Sequence, residues 1–329
     1  MPEPVGQGGC APTSSPCWAA LPGRGRRTVL GVVVVAATLV ARPSSAQQAA
    51  AKPDLLTPPA APKPGVVEWN PDWPRFRASE VWATGILTAV ALGSLAIPSS
   101  GGRWTTVNGF DKSVRSALGA KSQSGRDRAQ DASDILLAVS LNQLLFDSLV
   151  VTWWGHGRGS VALQLSLVDA EAVALTTALT AFTKGITSRE RPFQAECSGP
   201  EKHQQRDCQG QNRYQSYFSG HTSTSFTSAA LTCQHHAHLP LYGGGAPDVA
   251  ACLASIALAG TVGTMRIVSD RHYATDVLTG AAVGTLSGLT VPWLLHYRGG
   301  ASPPRQTDAK KVSVRVAPAP LGGVVFGEF

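Results

Sequence analysis

Charge is scarce in this 329-residue chain. Asp, Glu, Lys and Arg together make up 15% of it, against roughly 25% in soluble domains. Beside 43% hydrophobic residues, that shortage argues against an ordinary water-exposed surface and for buried or lipid-facing helices. The charge present leans basic, +7 net with a pI near 9.3. A basic chain suits nucleic acid, an anionic membrane or an anionic substrate. No dense Lys/Arg tract with interleaved aromatics occurs, so nucleic acid is set aside as a partner. No strand alternation precedes the C-terminal tail, which leaves an all-α chain. No ligand cluster of zinc type is present, so neither a metal nor another cofactor is expected. Beyond Met1, methionine occurs only at Met265, so no internal start shortens the N-terminal region.

What is there begins with an export signal over residues 1–46. Arg24, Arg26 and Arg27 precede the apolar run Val29–Ala41, and Ser44 and Ala46 supply small residues before a cleavage point at Gln47. The apolar run is short for a membrane span of about 20 residues. No cysteine sits at the cleavage point, so a lipoprotein anchor is not indicated. Residues 47–78 open as an Ala/Pro-rich linker and end in a Trp-rich lead-in. Trp69, Trp73 and Trp82 there suit either a membrane–water interface or a helical core.

Residues 79–298 read as a six-helix bundle, embedded in or associated with a membrane. Its segments run about Ser79–Ile97, Ala132–Trp154, Val161–Ile186, Thr222–His238, Val249–Val268 and Tyr273–His296. A basic connector, Gly101–Arg128, joins the first two. Gly280, Gly284 and Gly288 recur every four residues in the sixth, a spacing that permits close helix approach but also arises by chance in a Gly-rich chain. Asp134, Asn142, Asp147, Asp169 and Glu171 interrupt the apolar segments. A spanning helix tolerates such groups only toward a bundle interior. Residues 299–329 form a tail with a short strand expected at Ser313–Val316.

Three constellations carry chemistry. Lys184 and Arg191, seven apart at a helix end and followed by Pro192, can face one pocket, although cations at a helix C-terminus are favourable in any case. Ser219-Gly220-His221 enters the fourth segment, where free N–H groups meet anions; Ser219 also reads as a plain N-cap. Arg266, His272 and Asp276 follow within eleven residues. Arg offers a fork of donors to oxyanions, His titrates near neutrality, and a carboxylate one turn on can fix its tautomer. His235, His236 and His238 lie some 15 residues beyond His221 and are expected to be solvated or interfacial rather than a metal site. Cys197 and Cys208, in the polar loop Phe193–Phe218, can close a disulfide at the pocket rim, while Cys233 and Cys252 can pair or stay free.

Taken in order, Lys184-x6-Arg191-Pro192, Ser219-Gly220-His221 and Arg266-x5-His272-x3-Asp276 resemble the three-part signature of the type-2 phosphatidic acid phosphatase superfamily, which includes vanadium haloperoxidases and bacterial acid phosphatases. The resemblance covers about Leu136–Leu295. It implies His272 as nucleophile and Asp276 as its orienting and charge-balancing partner. It implies His221 as general acid, with Lys184, Arg191, Arg266, Ser219 and the Gly220 N–H on the phosphate oxygens. Phe218 stands where the family usually has Pro, and Met265 where it usually has Ser.

The expected activity is metal-independent hydrolysis of a phosphate monoester or diphosphate. The substrate is a phosphorylated lipid of the phosphatidic acid or isoprenyl diphosphate type. A soluble periplasmic acid phosphatase is the alternative, and a vanadate-dependent haloperoxidase is a more distant one. The resemblance implies a bacterial cell envelope location, in the membrane with a periplasm-facing site or in the periplasm.

Overall fold

The computed structural model describes residues 66–94, 102–197 and 211–298, and the backbone of two strands at 313–319 and 322–328. The expected signal, most of the linker, and Cys208 with its expected bond to Cys197 lie outside the described residues. Among the described residues there are seven α-helices: α1 (Ala78–Ser94), α2 (Gly109–Leu118), α3 (Gln123–Leu145), α4 (Gly159–Thr187), α5 (Gly220–His238), α6 (Ala246–Val268) and α7 (Ala274–Leu295). Six answer the expected segments. The seventh, α2, falls inside the basic connector, where Asn108 caps it by accepting from the Asp111 N–H. A π-helical stretch, Phe146–Gly155, extends α3. In the tail, β1 (Ser313–Ala319) pairs antiparallel with β2 (Gly322–Glu328), longer than the expected strand.

α5 is the central helix and packs against α3, α4, α6 and α7. Its composition fits that position. Thr222, Ser223, Ser225, Thr227, Ser228 and Thr232 are all buried, small enough to let neighbours close in. Their hydroxyls are satisfied locally or across helices, as in Thr176–Thr227 at 2.9 Å and Thr180–Ser223 at 3.1 Å. The four-residue glycine spacing in α7 is the matching surface. A Cβ on Gly284 would stand 2.1 Å from the Ser223 carbonyl oxygen, and one on Gly280 2.7 Å from that of Ser219. The glycines therefore set how closely α7 lies on α5.

The interior carboxylates of the apolar segments find partners. His235 bonds Asp169 at 2.8 Å and Tyr297 at 2.7 Å, His236 bonds Asp248 at 2.5 Å, and His296 meets Glu171 at 3.2 Å. The expectation that His235, His236 and His238 are solvated or interfacial is overturned for His235 and His236, which are buried. Charged acids within the bundle need cationic or donor partners, and the histidines supply them. Trp69 and Trp73 pack with Tyr297, Val161 and Leu165 in one core cluster, whereas Trp82 is 73% exposed. A disulfide between Cys233 and Cys252 ties α5 to α6.

The outer surface is apolar. Ile135, Trp153, Trp154, Phe182, Leu253, Leu278 and Trp293 are all exposed. Four helical stretches, Gln123–Gly155, Gly159–Thr187, Ala246–Val268 and Ala274–Leu295, are long and apolar enough to cross a membrane. Exposed apolar faces over such lengths suit lipid rather than water.

Candidate active site

The antiparallel course of the helices brings the C-terminal ends of α4 and α6 together with the N-terminal ends of α5 and α7. All three sequence constellations meet there. Ser188 stops α4 in a left-handed conformation (φ 44°), and its N–H bonds the Lys184 carbonyl. The chain then runs beside residues 103–104: Arg103 N–H donates to Ser188 O, and Glu190 N–H to Trp104 O. Asp270 makes the equivalent left-handed turn after α6 (φ 59°), held by a bidentate Arg115 at 2.7 and 2.5 Å. The N–H of His272 then bonds the Arg266 carbonyl at 3.2 Å, so two motif residues share one turn.

His272 is buried, and its Nδ1 lies 2.7 Å from the Ser216 carbonyl oxygen. A carbonyl only accepts, so Nδ1 carries the ring proton and Nε2 keeps its lone pair. Asp276 was expected to orient this ring. Its Oδ2 stands 3.7 Å from Nδ1, beyond hydrogen-bond range. In place of a direct bond, Oδ2 accepts from the Ser216 hydroxyl at 2.5 Å, and Ser216 holds the ring through its carbonyl. Helix geometry explains the difference. α7 starts at Ala274, so His272 precedes it, and Asp276 closes a capping box on the Tyr273 N–H at 2.9 Å.

Cations surround the ring. Burial, then Arg191, Arg266, Lys184 and His221, hold the His272 pKa well below the ordinary imidazole value. Arg191 is fixed by its own N–H to Arg213 O at 2.8 Å and by Nη2 to Gln215 O at 3.4 Å. Arg266 is buried, with Nη1 on Ser133 Oγ at 2.8 Å and Asp134 Oδ1 at 3.2 Å. Lys184 Nζ lies 3.5 Å from where a Gly220 Cβ would stand, so glycine at the α5 terminus leaves room for the ammonium. Ser219 caps α5: its Oγ accepts from Thr222 Oγ1 at 2.9 Å and from the Thr222 N–H at 3.4 Å.

His221, on the first turn of α5, donates from Nε2 to Asp134 Oδ1 at 2.7 Å. Burial comes first in pushing its pKa down to about 4, with Arg266 and Lys184 in the same direction and Asp134 opposing. Both histidines are therefore neutral at pH 7. Three cations, a helix N-terminus and two neutral imidazoles make a receptor for a multiply charged oxyanion. Among the described residues no three His, Cys, Asp or Glu side chains converge as metal ligands.

Four residues of this site lie outside the three constellations. Ser216 bridges His272 and Asp276. Asp134 comes from α3. Arg189 lies within the Lys184–Arg191 spacing, is 1% exposed, and bonds both Asp276 and Asp111. Asp111 comes from α2 and is wholly buried.

A family model described as the PAP2 superfamily matches residues 167–299. Among curated proteins, a lipid A 1-phosphatase of Porphyromonas gingivalis is 44% identical over 79 residues, a stretch spanning 24% of this chain and 16% of that relative. No solved structure matches the chain.

Proposed function

With residues 167–299 a PAP2 superfamily domain, we propose that the protein is a lipid phosphate phosphatase that works through a phosphohistidine on His272. The observation that carries this reading is the Nδ1 bond of His272 to the Ser216 carbonyl at 2.7 Å, which leaves Nε2 free to attack phosphorus. Nε2 bonds to phosphorus as the bond to the lipid oxygen breaks, and His221 hands a proton to that oxygen. The ring then carries positive charge, which Asp276 offsets. In the second step His221 takes a proton from water, the resulting hydroxide attacks phosphorus, and the P–Nε2 bond breaks to release inorganic phosphate. Lys184, Arg191 and Arg266 balance the charge on the transferring group throughout, so no metal has to.

With Nε2–H on Asp134, the proton for the leaving oxygen comes from Nδ1 of His221. At pH 7 the His221 ring is neutral. An arriving phosphate dianion offsets Lys184 and Arg266 and raises the His221 pKa, arming the acid only when substrate is bound.

Two further observations support a lipid substrate, of phosphatidic acid or isoprenyl diphosphate type. The site lies at one end of four candidate spans, where an amphiphile presents its headgroup. The curated relative is named for a lipid phosphate. The Cys233–Cys252 disulfide favours a cell-envelope protein, since thiols pair in an oxidising compartment; it lies at the end of α5 away from the site.

The test is a rapid quench in alkali with phosphorus-labelled phosphatidic acid, isoprenyl diphosphate and p-nitrophenyl phosphate, each with EDTA. Base-stable, acid-labile label on the wild type, absent from His272→Ala and formed fastest from a lipid, is the expected result. Label retained by His272→Ala would overturn the nucleophile. Turnover of the aryl ester alone would favour a soluble-type acid phosphatase. No turnover, with vanadate-dependent bromination by peroxide, would make it a haloperoxidase.

A further inference from the structure

Behind His272 lies a second layer of charge. The Arg189 guanidinium is sandwiched between the rings of Trp104 at 4.2 Å and Tyr273 at 4.4 Å. Its Nη1 donates to Asp276 Oδ1 and, at 2.8 Å, to Thr275 Oγ1. Its Nη2 donates to Asp111 Oδ2 at 2.7 Å. Asp111 also accepts from the Thr275 N–H at 2.9 Å, Thr275 Oγ1 at 2.8 Å and Asn108 Nδ2 at 3.0 Å. Arg189, Asp111 and Asp276 are at most 1% exposed.

The charge count makes this more than a brace. Asp276 faces His272, but Arg189 is bonded directly to it. Those two alone sum to zero and offer the ring no net negative charge. The ring stands among Lys184, Arg191 and Arg266, and becomes cationic when phosphorylated. Asp111 brings the cluster back to one net negative charge. In a buried site such a difference acts at nearly full strength.

We propose that Asp111, a residue of α2 outside the matched domain, is a positioning residue for catalysis: by neutralising Arg189 it leaves the charge of Asp276 available to His272. The proposal rests on the nucleophile reading above. It assigns α2 a function beyond joining α1 to α3. It also explains why a buried arginine lies within the first constellation without facing phosphate.

The test is a double-variant cycle on the full chain in detergent. Asp111→Asn should lower kcat by about tenfold or more while KM moves less than about threefold. Arg189→Gln should also slow turnover, because two adjacent buried carboxylates cannot both ionise. The combined variant restores one net negative charge at Asp276, so its kcat should exceed that of Asp111→Asn alone. A mere brace predicts the opposite, with the double variant as slow as the worse single one or slower, and that result would overturn the proposal. Should Asp111→Asn fail to fold, the combined variant compared with Arg189→Gln still decides, since loss of Asp111 must then help. If the wild type forms no phosphohistidine, the functional reading has failed. The charge argument is then read separately by nitrogen-15 NMR titration of His272, whose pKa should fall in Asp111→Asn. No shift there would sink it independently of turnover.

Discussion

His221 Nε2 lies 2.7 Å from Asp134 Oδ1, and the same oxygen accepts from Arg266 Nη1 at 3.2 Å. One carboxylate on α3 thus fixes the tautomer of the imidazole we propose as acid and the pose of a guanidinium we propose to bind phosphate.

Asp134→Asn should therefore weaken the acid more than the binding. Without the carboxylate, the opposition to burial is lost and the His221 pKa falls further. Alkyl phosphates, which need a proton on the leaving oxygen, should slow by roughly a hundredfold. Aryl phosphates, which depart without one, should slow by about tenfold at most. A comparison of kcat on the two classes checks this; equal losses would assign Asp134 to Arg266 alone.

The depressed histidines also set a pH dependence of stability. His221 is held to about 4 and His272 is held low as well, while both return to about 6.5 when unfolded. The unfolded chain then binds more protons, so stability rises with pH. This contribution is complete above about pH 6.5 and is lost as pH falls toward 4. Thermal midpoints measured across that window should decline, and His221→Gln should decline less steeply. Bound sulfate, a dianion throughout this window, should reverse part of the loss, and protons should be taken up as it binds. Calorimetry near pH 6 in buffers of different ionisation enthalpy reads that uptake, and proton release would contradict the assignment.

Arg191→Lys tests the fork. The Arg191 backbone is pinned to Arg213 and its guanidinium to Gln215, so a lysine can place one charge but not a planar pair of donors. Turnover should drop by about tenfold or more with the melting midpoint nearly unchanged. Near-normal kinetics would mean that Arg191 acts on His272 only as a distant charge.

The helices and the residues we propose to face phosphate were legible in the sequence because both leave local marks. Apolar runs announce α1 and α3 to α7, and Lys184, Arg191, His221, Arg266 and His272 stand at their ends in a fixed order. The supporting layer leaves no such mark. Asp111 and Arg189 are 78 residues apart, and Asp134 and His221 are 87 apart; each pairing exists only once the bundle closes. α2 has no apolar run, though Asn108 three residues before Asp111 is a readable cap signal. The role of Asp276 shifted for a local reason: spacing alone placed it one helical turn from His272, but the helix begins after the histidine. His235 looked solvated or interfacial because its acid partner, Asp169 on α4, lies 66 residues away, and His236 because its partner Asp248 lies on the next helix, α6.

The glycine face of α7 offers the sharpest stability test. Ordinarily Gly→Ala inside a helix gains about 0.5–1 kcal/mol by reducing the freedom of the unfolded chain. At Gly260, with nothing within 4 Å of the new methyl group, that gain should appear as a small rise in melting midpoint. At Gly284 the methyl would fall 2.1 Å from the Ser223 carbonyl oxygen, and backbone cannot swing aside as a side chain can. α7 must then lift from α5, costing roughly 1–3 kcal/mol or more. Because His221 begins α5 and Asp276 begins α7, the same displacement should pull the acid away from the nucleophile's supports. Gly284→Ala should lose both stability and turnover, and Gly260→Ala neither. Equal behaviour of the two would show that the close helix contact does not set the geometry of the site.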